Sequence, residues 1–120
     1  MTPNKVIEMV DRLKANAYSE EEKFGWLNEL DGMIQRTVMK IDEPVSMTYP
    51  DDMDTDLLVG FPFESIYGMY MEAMIDFHNK EFGNYNNSVL MFNERFDEYK
   101  KAYIRETIPK TAGNFKNIMG

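Results

Sequence analysis

Residues 62–82 read Pro62-Phe63-Glu64-Ser65-Ile66-Tyr67-Gly68-Met69-Tyr70-Met71-Glu72-Ala73-Met74-Ile75-Asp76-Phe77-His78-Asn79-Lys80-Glu81-Phe82. Phe63, Ile66, Tyr67, Tyr70, Met74, Phe77 and His78 fall at helical spacings of three and four, and Met71 and Ile75 widen the same face. Only a narrow stripe of Glu72, Asp76 and Lys80 is consistently polar. A helix apolar nearly all round must be covered on several sides, so this stretch is predicted to be the central, most buried helix.

Downstream, Gly83 and Asn84 mark an interruption, and Asn86-Asn87-Ser88 supply cap candidates for a further helix. Val89, Phe92, Phe96, Tyr99 and Tyr103 then form a continuous aromatic seam that predicts antiparallel packing on the central helix. Pro109 ends that helix, because proline lacks the amide hydrogen that the helix needs.

Upstream, Thr2 precedes Pro3 as an N-cap precedes a first-turn proline, and Val6, Met9, Val10 and Leu13 predict a helix over about 3–16. Ser19 with Glu22 forms a capping box, with Glu20 and Glu21 favourably placed near the positive end of the next helix. In that second helix Leu27, Leu30, Ile34 and Val38 make the main stripe, and Phe24, Trp26 and Met33 broaden it. From Ile41 to Gly60 there is no helical period, and the segment carries Pro44, Pro50 and a cluster of aspartates. Irregular stretches this long in a small domain usually carry function.

The expected fold is therefore all-α: a compact bundle of about four helices with a long central pair, an extended acidic loop between helices two and three, and a mobile C-terminal tail. Residues 1–109 form the domain and 110–120 the tail, which still carries the apolar Phe115, Ile118 and Met119. A chain of 120 residues has room for one hydrophobic core, and 43% apolar residues suffice to build it.

Composition excludes several functions. The net charge of −8 removes the electrostatic basis of nucleic-acid binding, since affinity for phosphates comes from Lys and Arg. An acidic surface repels DNA, which is useful only where DNA must slide past. With no cysteine there is no disulfide, thiolate metal site or thiol nucleophile, as in a reducing compartment. The N-terminus lacks the apolar stretch of a signal peptide, and nothing in the sequence resembles a membrane span.

Catalytic and metal motifs fail on their spacing. Asp52, Asp54 and Asp56 match the first three ligands of a calcium loop, but Leu57 stands where the turn needs glycine and Phe63 where a bidentate glutamate belongs. His78 is the lone histidine and is read as a core or rim packing residue, for Ile75 occupies the place of the glutamate in a Glu-x-x-His turn. None of Ser19, Ser46, Ser65 and Ser88 lies in a nucleophile turn, and the glycines are scattered. Glu72 and Asp76, one turn apart, are read as a solvated surface pair. No catalytic residue, metal or cofactor is expected.

What remains points to protein contact. The 11 methionines are read first as core filling and, more sharply, as a deformable interface. Val45-Ser46-Met47-Thr48-Tyr49 alternates like a strand without a partner in the chain, so it reads as an extended arm able to pair with a neighbouring subunit. The candidate contact residues are Val45, Met47 and Tyr49 of this arm, Asp52, Asp54 and Asp56 beside it, and Phe115, Ile118 and Met119 of the tail.

Several blocks recur in a known order: Tyr18-Ser19 with Lys23, Trp26-Leu27 and Glu29-Leu30-Asp31-Gly32; Leu57-Leu58-Val59 with Pro62-Phe63-Glu64 and Tyr67; Glu72-Ala73 with Ile75-Asp76; and Tyr85-Asn86-Asn87-Ser88 with Phe92-Asn93. In these blocks, which cover most of the chain up to Pro109, it resembles the small helical head-tail connector (adaptor) proteins of phages and prophages of low-GC Gram-positive bacteria. The resemblance implies a non-enzymatic structural protein that forms a ring below the portal, joins head to tail and lets DNA pass through its centre. Its partners would be copies of itself, the portal and the tail-side connector proteins, and its place the cytoplasm of the bacterial host and then the virion. The Met-rich third helix and the tail after Pro109 depart from the family pattern. The competing expectation is a stand-alone adaptor or regulatory domain that binds one partner in a Met and aromatic groove. An enzyme with a carboxylate site stands third.

Overall fold

Four α-helices follow one another in the computed structural model, which describes residues 1–107: α1 Pro3–Leu13, α2 Glu20–Thr37, α3 Ser65–His78 and α4 Phe82–Thr107. The predicted caps at Thr2 and Ser19 form, whereas the cap candidates Asn86-Asn87-Ser88 lie inside α4, which starts a turn earlier than their capping character implied. Thr2 Oγ1 accepts from the Lys5 amide at 3.2 Å, and Ser19 Oγ accepts from the Glu22 amide at 3.1 Å. The expected all-α bundle is present, and no strand occurs among the described residues.

The boundaries differ from expectation for local reasons. α1 stops at Leu13, short of residue 16, because Asn16 builds a turn instead: its side chain donates to Lys14 O at 3.1 Å and accepts from the Tyr18 amide at 3.2 Å. The predicted break at Gly83-Asn84 lies earlier, since both residues are inside α4. α3 ends at His78 with Lys80 in the left-handed region at φ 62°. The Lys80 amide donates to Phe77 O at 3.0 Å and the Glu81 amide to Asp76 O at 2.9 Å, the paired closing bonds of a helix C-terminus. A lysine thus stands where glycine would be cheapest.

α3 is the hub, packing against each of the other three helices. Val6 and Val10 of α1, Leu27, Leu30 and Ile34 of α2, and Ile66, Tyr67, Met71 and Ile75 of α3 are fully buried. Each such aliphatic side chain contributes about 2 kcal/mol by leaving water. A Cβ on Gly68 would stand 2.8 Å from the terminal methyl of Met9, a flexible side-chain end that can move aside.

α4 is held differently. Among the described helices it packs on α3 alone, antiparallel as the seam predicted, with Tyr70 against Phe92 at 5.4 Å and Phe63 against Tyr99 at 5.9 Å between ring centres. Phe92, Tyr99 and Ala102 are its only buried residues, although it runs for 26 residues. Leu90, Met91 and Ile104 stay exposed on it.

The loop between α2 and α3 is stitched down. Met53, Leu57 and Val59 are buried, Met53 O accepts from the Asn4 amide at 2.9 Å, and the Leu57 amide donates to Met1 O at 2.9 Å. Residues 110–120, with the predicted contacts Phe115, Ile118 and Met119, lie outside the described residues.

Replacing Lys80 by glycine removes the left-handed strain without removing a closing hydrogen bond, so Lys80→Gly is expected to raise unfolding stability by about 0.5–1 kcal/mol. A urea midpoint below that of the parent chain would contradict this account of the α3–α4 turn.

Candidate protein-contact surface

Two buried polar networks set where the exposed surfaces lie. In the first, Tyr67 on α3 donates its hydroxyl to Asp31 Oδ1 on α2 at 2.6 Å and accepts from the Val59 amide at 2.8 Å. Asp31 Oδ2 accepts from the Leu58 amide at 3.2 Å. Two helices and the end of the acidic loop are joined through one tyrosine and one carboxylate. Burial pushes the Asp31 carboxyl above its ordinary value, only partly offset by the bonds from Tyr67 and Leu58. Burial, then the Asp31 charge, push the Tyr67 phenol far up, so it stays a donor.

The second network centres on Asp76, which corrects the reading of a solvated Glu72–Asp76 stripe. Asp76 has 0% exposure. Lys14, just beyond α1, forms an ion pair with Asp76 Oδ1, and Ser88 of α4 donates to Oδ2 at 2.8 Å. Helical period correctly put Asp76 on the polar side of α3, but a lysine from α1 and a serine from α4 close over that side. A third tie joins Lys23 of α2 to Asp11 of α1 at 2.7 Å, with Lys23 also donating to Asn16 at 3.1 Å. Burial raises the Asp11 carboxyl, but the bonds from Lys23 and Asn16 outweigh it and hold it below its ordinary value.

The strand-like arm finds partners within the chain. Gln35 accepts from the Val45 amide at 2.8 Å and donates to Val45 O at 2.9 Å. Asn28, two turns earlier on α2, accepts from the Met47 amide at 2.9 Å and donates toward Met47 O at 3.4 Å. Side-chain amides of α2 thus take the place of a neighbouring strand. Thr48 is held too, its amide donating to Asp52 Oδ2 at 2.7 Å. The Val45 side chain is 74% exposed, whereas Met47 and Tyr49 are half-buried, with Tyr49 against Phe24 at 5.4 Å.

The three candidate aspartates diverge. Asp52 closes the turn with Thr48 and Thr55, Asp54 accepts from Asn4 at 3.2 Å, and Asp56 lies 3.9 Å from the Met1 amine. Each is tied locally, and no three His, Asp or Glu side chains gather in a metal-holding group among the described residues. His78 is a rim residue, stacked on Trp26 at 5.3 Å with an 8° interplanar angle and flanked by Tyr18 at 5.9 Å.

The open apolar surfaces were not singled out by sequence. A groove of about 320 Å³ runs between α2 and α4 over α3, walled by Met33, Tyr85, Val89 and Phe96 and floored by Tyr70 and Ala73. A second, of about 260 Å³, lies between α1 and α3 under Met9, Leu13 and Met69. Phe61, 89% exposed, projects beside a third hollow of about 230 Å³ at the C-terminal end of α4. Period alone could not reveal them, because each depends on α4 or α1 covering only one side of α3. The Met richness of α3 was the available signal.

No family model, curated protein or solved structure matches the chain. No helix among the described residues is long and apolar enough to cross a membrane.

Tyr67→Phe strips Asp31 of one of its two donors and the Val59 amide of its acceptor, and is expected to cost about 1–3 kcal/mol in urea unfolding at neutral pH. Because the folded Asp31 already binds its proton more tightly than the unfolded chain does, its ionisation opposes folding above its raised folded pKa. Losing the Tyr67 bond enlarges that penalty, so the deficit should shrink as pH falls through the Asp31 titration. A deficit independent of pH would show that Asp31 is not charged there. Lys14→Met leaves Asp76 buried without its cation and is expected to cost about 3–5 kcal/mol, read by the same unfolding measurement.

Proposed function

We propose that this chain is a non-enzymatic structural subunit of a phage or prophage particle: a head-tail connector that forms a ring below the portal and joins head to tail. The observation that carries the reading is where the family-like blocks fall. Asp31, Leu58, Val59 and Tyr67, drawn from two separated blocks, make up the first network, and Asp76 and Ser88, from two others, meet in the second. Blocks that come together as the internal scaffold are what members of one structural family would have in common.

The surface suits assembly. α4 is anchored along one stripe and offers Leu90, Met91 and Ile104 outward, while apolar grooves lie on either side of α3. Exposed apolar area of this kind marks sites of protein contact. In the proposed ring the partners are further copies of the chain, the portal and the tail-side connector, and the acidic surface of a chain with charge −8 lets DNA pass through without gripping it. The particle would assemble in the cytoplasm of the bacterial host.

A second reading, a stand-alone adaptor or regulatory domain, is favoured by the α2–α4 groove, an open hollow of about 320 Å³ lined by Met33, Tyr70, Tyr85, Val89, Phe92 and Phe96.

Solution mass across a concentration series, with and without a candidate portal protein, separates the two. The connector is expected to shift to a ring-sized species when the portal supplies a template. A chain that stays monomeric at every concentration and never joins the portal would leave the adaptor reading. Deleting residues 110–120 is expected to leave the urea midpoint within about 0.5 kcal/mol of the parent while weakening assembly on the portal.

A further inference from the structure

At the C-terminal end of α4 a hollow of about 230 Å³ lies between the last turns of that helix and the end of the loop before α3. Aromatic rings line it. Phe63 stands 5.9 Å from Tyr99 and Tyr99 stands 6.2 Å from Tyr103, with successive ring planes tilted by 60° and 52°, so the three rings turn a corner instead of stacking. Phe61, 89% exposed, adds a ring from the loop, and the exposed Glu106 supplies a carboxylate. The loop side is held firm, because the Leu58 and Val59 amides are bound by Asp31 and Tyr67 and the Phe63 amide donates to Gly60 O at 3.0 Å. A wall fixed before its guest arrives loses little freedom on binding.

The electrostatics of the hollow favour a cation. Among the described residues no lysine, arginine or histidine lines it. Lys40, itself exposed, belongs to the adjoining hollow that shares Met39 and Tyr103 with this one, and the Met1 ammonium lines the α1–α3 groove, where it pairs with Glu64 at 3.6 Å and lies 3.9 Å from Asp56. Burial pushes the Tyr99 phenol up to about 12, and Tyr103 and the carboxylates of Asp31 and Glu106 push the same way, so two negative charges act on this wall. Aromatic faces attract cations as well.

Size narrows the guest further. The hollow is smaller than the roughly 300–1,000 Å³ of drug and cofactor pockets and suits a single side chain. Of the cationic side chains, arginine fits its chemistry better than lysine: the flat guanidinium is weakly hydrated, stacks on rings and offers a fork of N–H donors to a carboxylate, whereas an ammonium must give up tightly held water. A second copy is a poor source, since each copy carries a net charge of −8. We propose that this hollow receives one arginine side chain from a partner protein with a basic surface, its guanidinium lying among Phe61, Phe63 and Tyr103 and donating to Glu106. The inference deepens the protein-contact reading and rests on it for the source of the arginine.

The test uses the full chain and needs no portal, so its outcome and that of the assembly experiment are separable. The probe is N-acetyl-arginine methylamide, followed through the aromatic side-chain resonances of the protein. The Phe61 and Tyr103 signals are expected to shift and saturate with a dissociation constant on the order of 1 mM. N-acetyl-citrulline methylamide, which keeps the shape and lacks the charge, is expected to bind about tenfold more weakly, and N-acetyl-lysine methylamide severalfold more weakly. Glu106→Gln and Tyr103→Leu are each expected to weaken the arginine probe severalfold, while Glu8→Gln on α1, which removes the same charge away from the hollow, leaves its binding unchanged. No saturable shift, citrulline or lysine bound as tightly as arginine, or no effect of Glu106→Gln would each overturn the proposal. Movement of the same signals with protein concentration alone would assign the hollow to a second copy and overturn it as well.

Discussion

The hydrogen bond from Tyr67 to Asp31 is the interaction on which the rest of the arrangement depends. It is short, at 2.6 Å, and it joins α3 to α2 inside the core, where neither group can turn to water instead. The same two side chains accept the amides of Leu58 and Val59, so the last turn of a long acidic loop is fixed to the helices that flank it. Without those acceptors two backbone amides next to the core would be unpaired, a cost comparable to the whole net value of several ordinary hydrogen bonds. The loop is consequently a fitted part of the domain, and Phe61 at its tip is presented outward from a firm base.

A single design recurs around α3. α1 and α2 pack on it with aliphatic residues, and polar ties fix their positions: Lys14 with Asp76, Lys23 with Asp11, Asn28 and Gln35 with the arm. α4 then lies along what remains and is held by an aromatic stripe and Ser88. Because α4 leans on one helix only, grooves stay open on both of its sides. The grooves are lined mainly by apolar residues, with Glu64 and Glu72 beside the α1–α3 one.

The buried networks join short stretches that lie far apart in the sequence. Asp31 sits within Glu29-Leu30-Asp31-Gly32, its partners within Leu57-Leu58-Val59 and at Tyr67, and each would be an unremarkable polar or apolar residue without the others. Asp76 and Ser88 repeat the pattern between α3 and α4.

Local physics made the helices legible in the sequence. Capping residues at Thr2 and Ser19, the broad apolar face of residues 63–78 and the aromatic seam from Val89 to Tyr103 declare helix number, order and the antiparallel α3–α4 pair, since they depend on residues within a turn or two of one another. The site was less visible. Period placed Asp76 on a polar stripe but could not show Lys14 and Ser88 arriving over it from α1 and α4. Alternation in residues 45–49 implied a strand, yet the partners proved to be amide side chains of α2 that no pattern in the arm could announce. The sequence by itself therefore determined which segments are helical and which faces must be hidden, because these follow from neighbours along the chain. Only the tertiary structure decided which carboxylates are buried, which amides they serve and which grooves stay open, because those outcomes depend on contacts between residues dozens of positions apart.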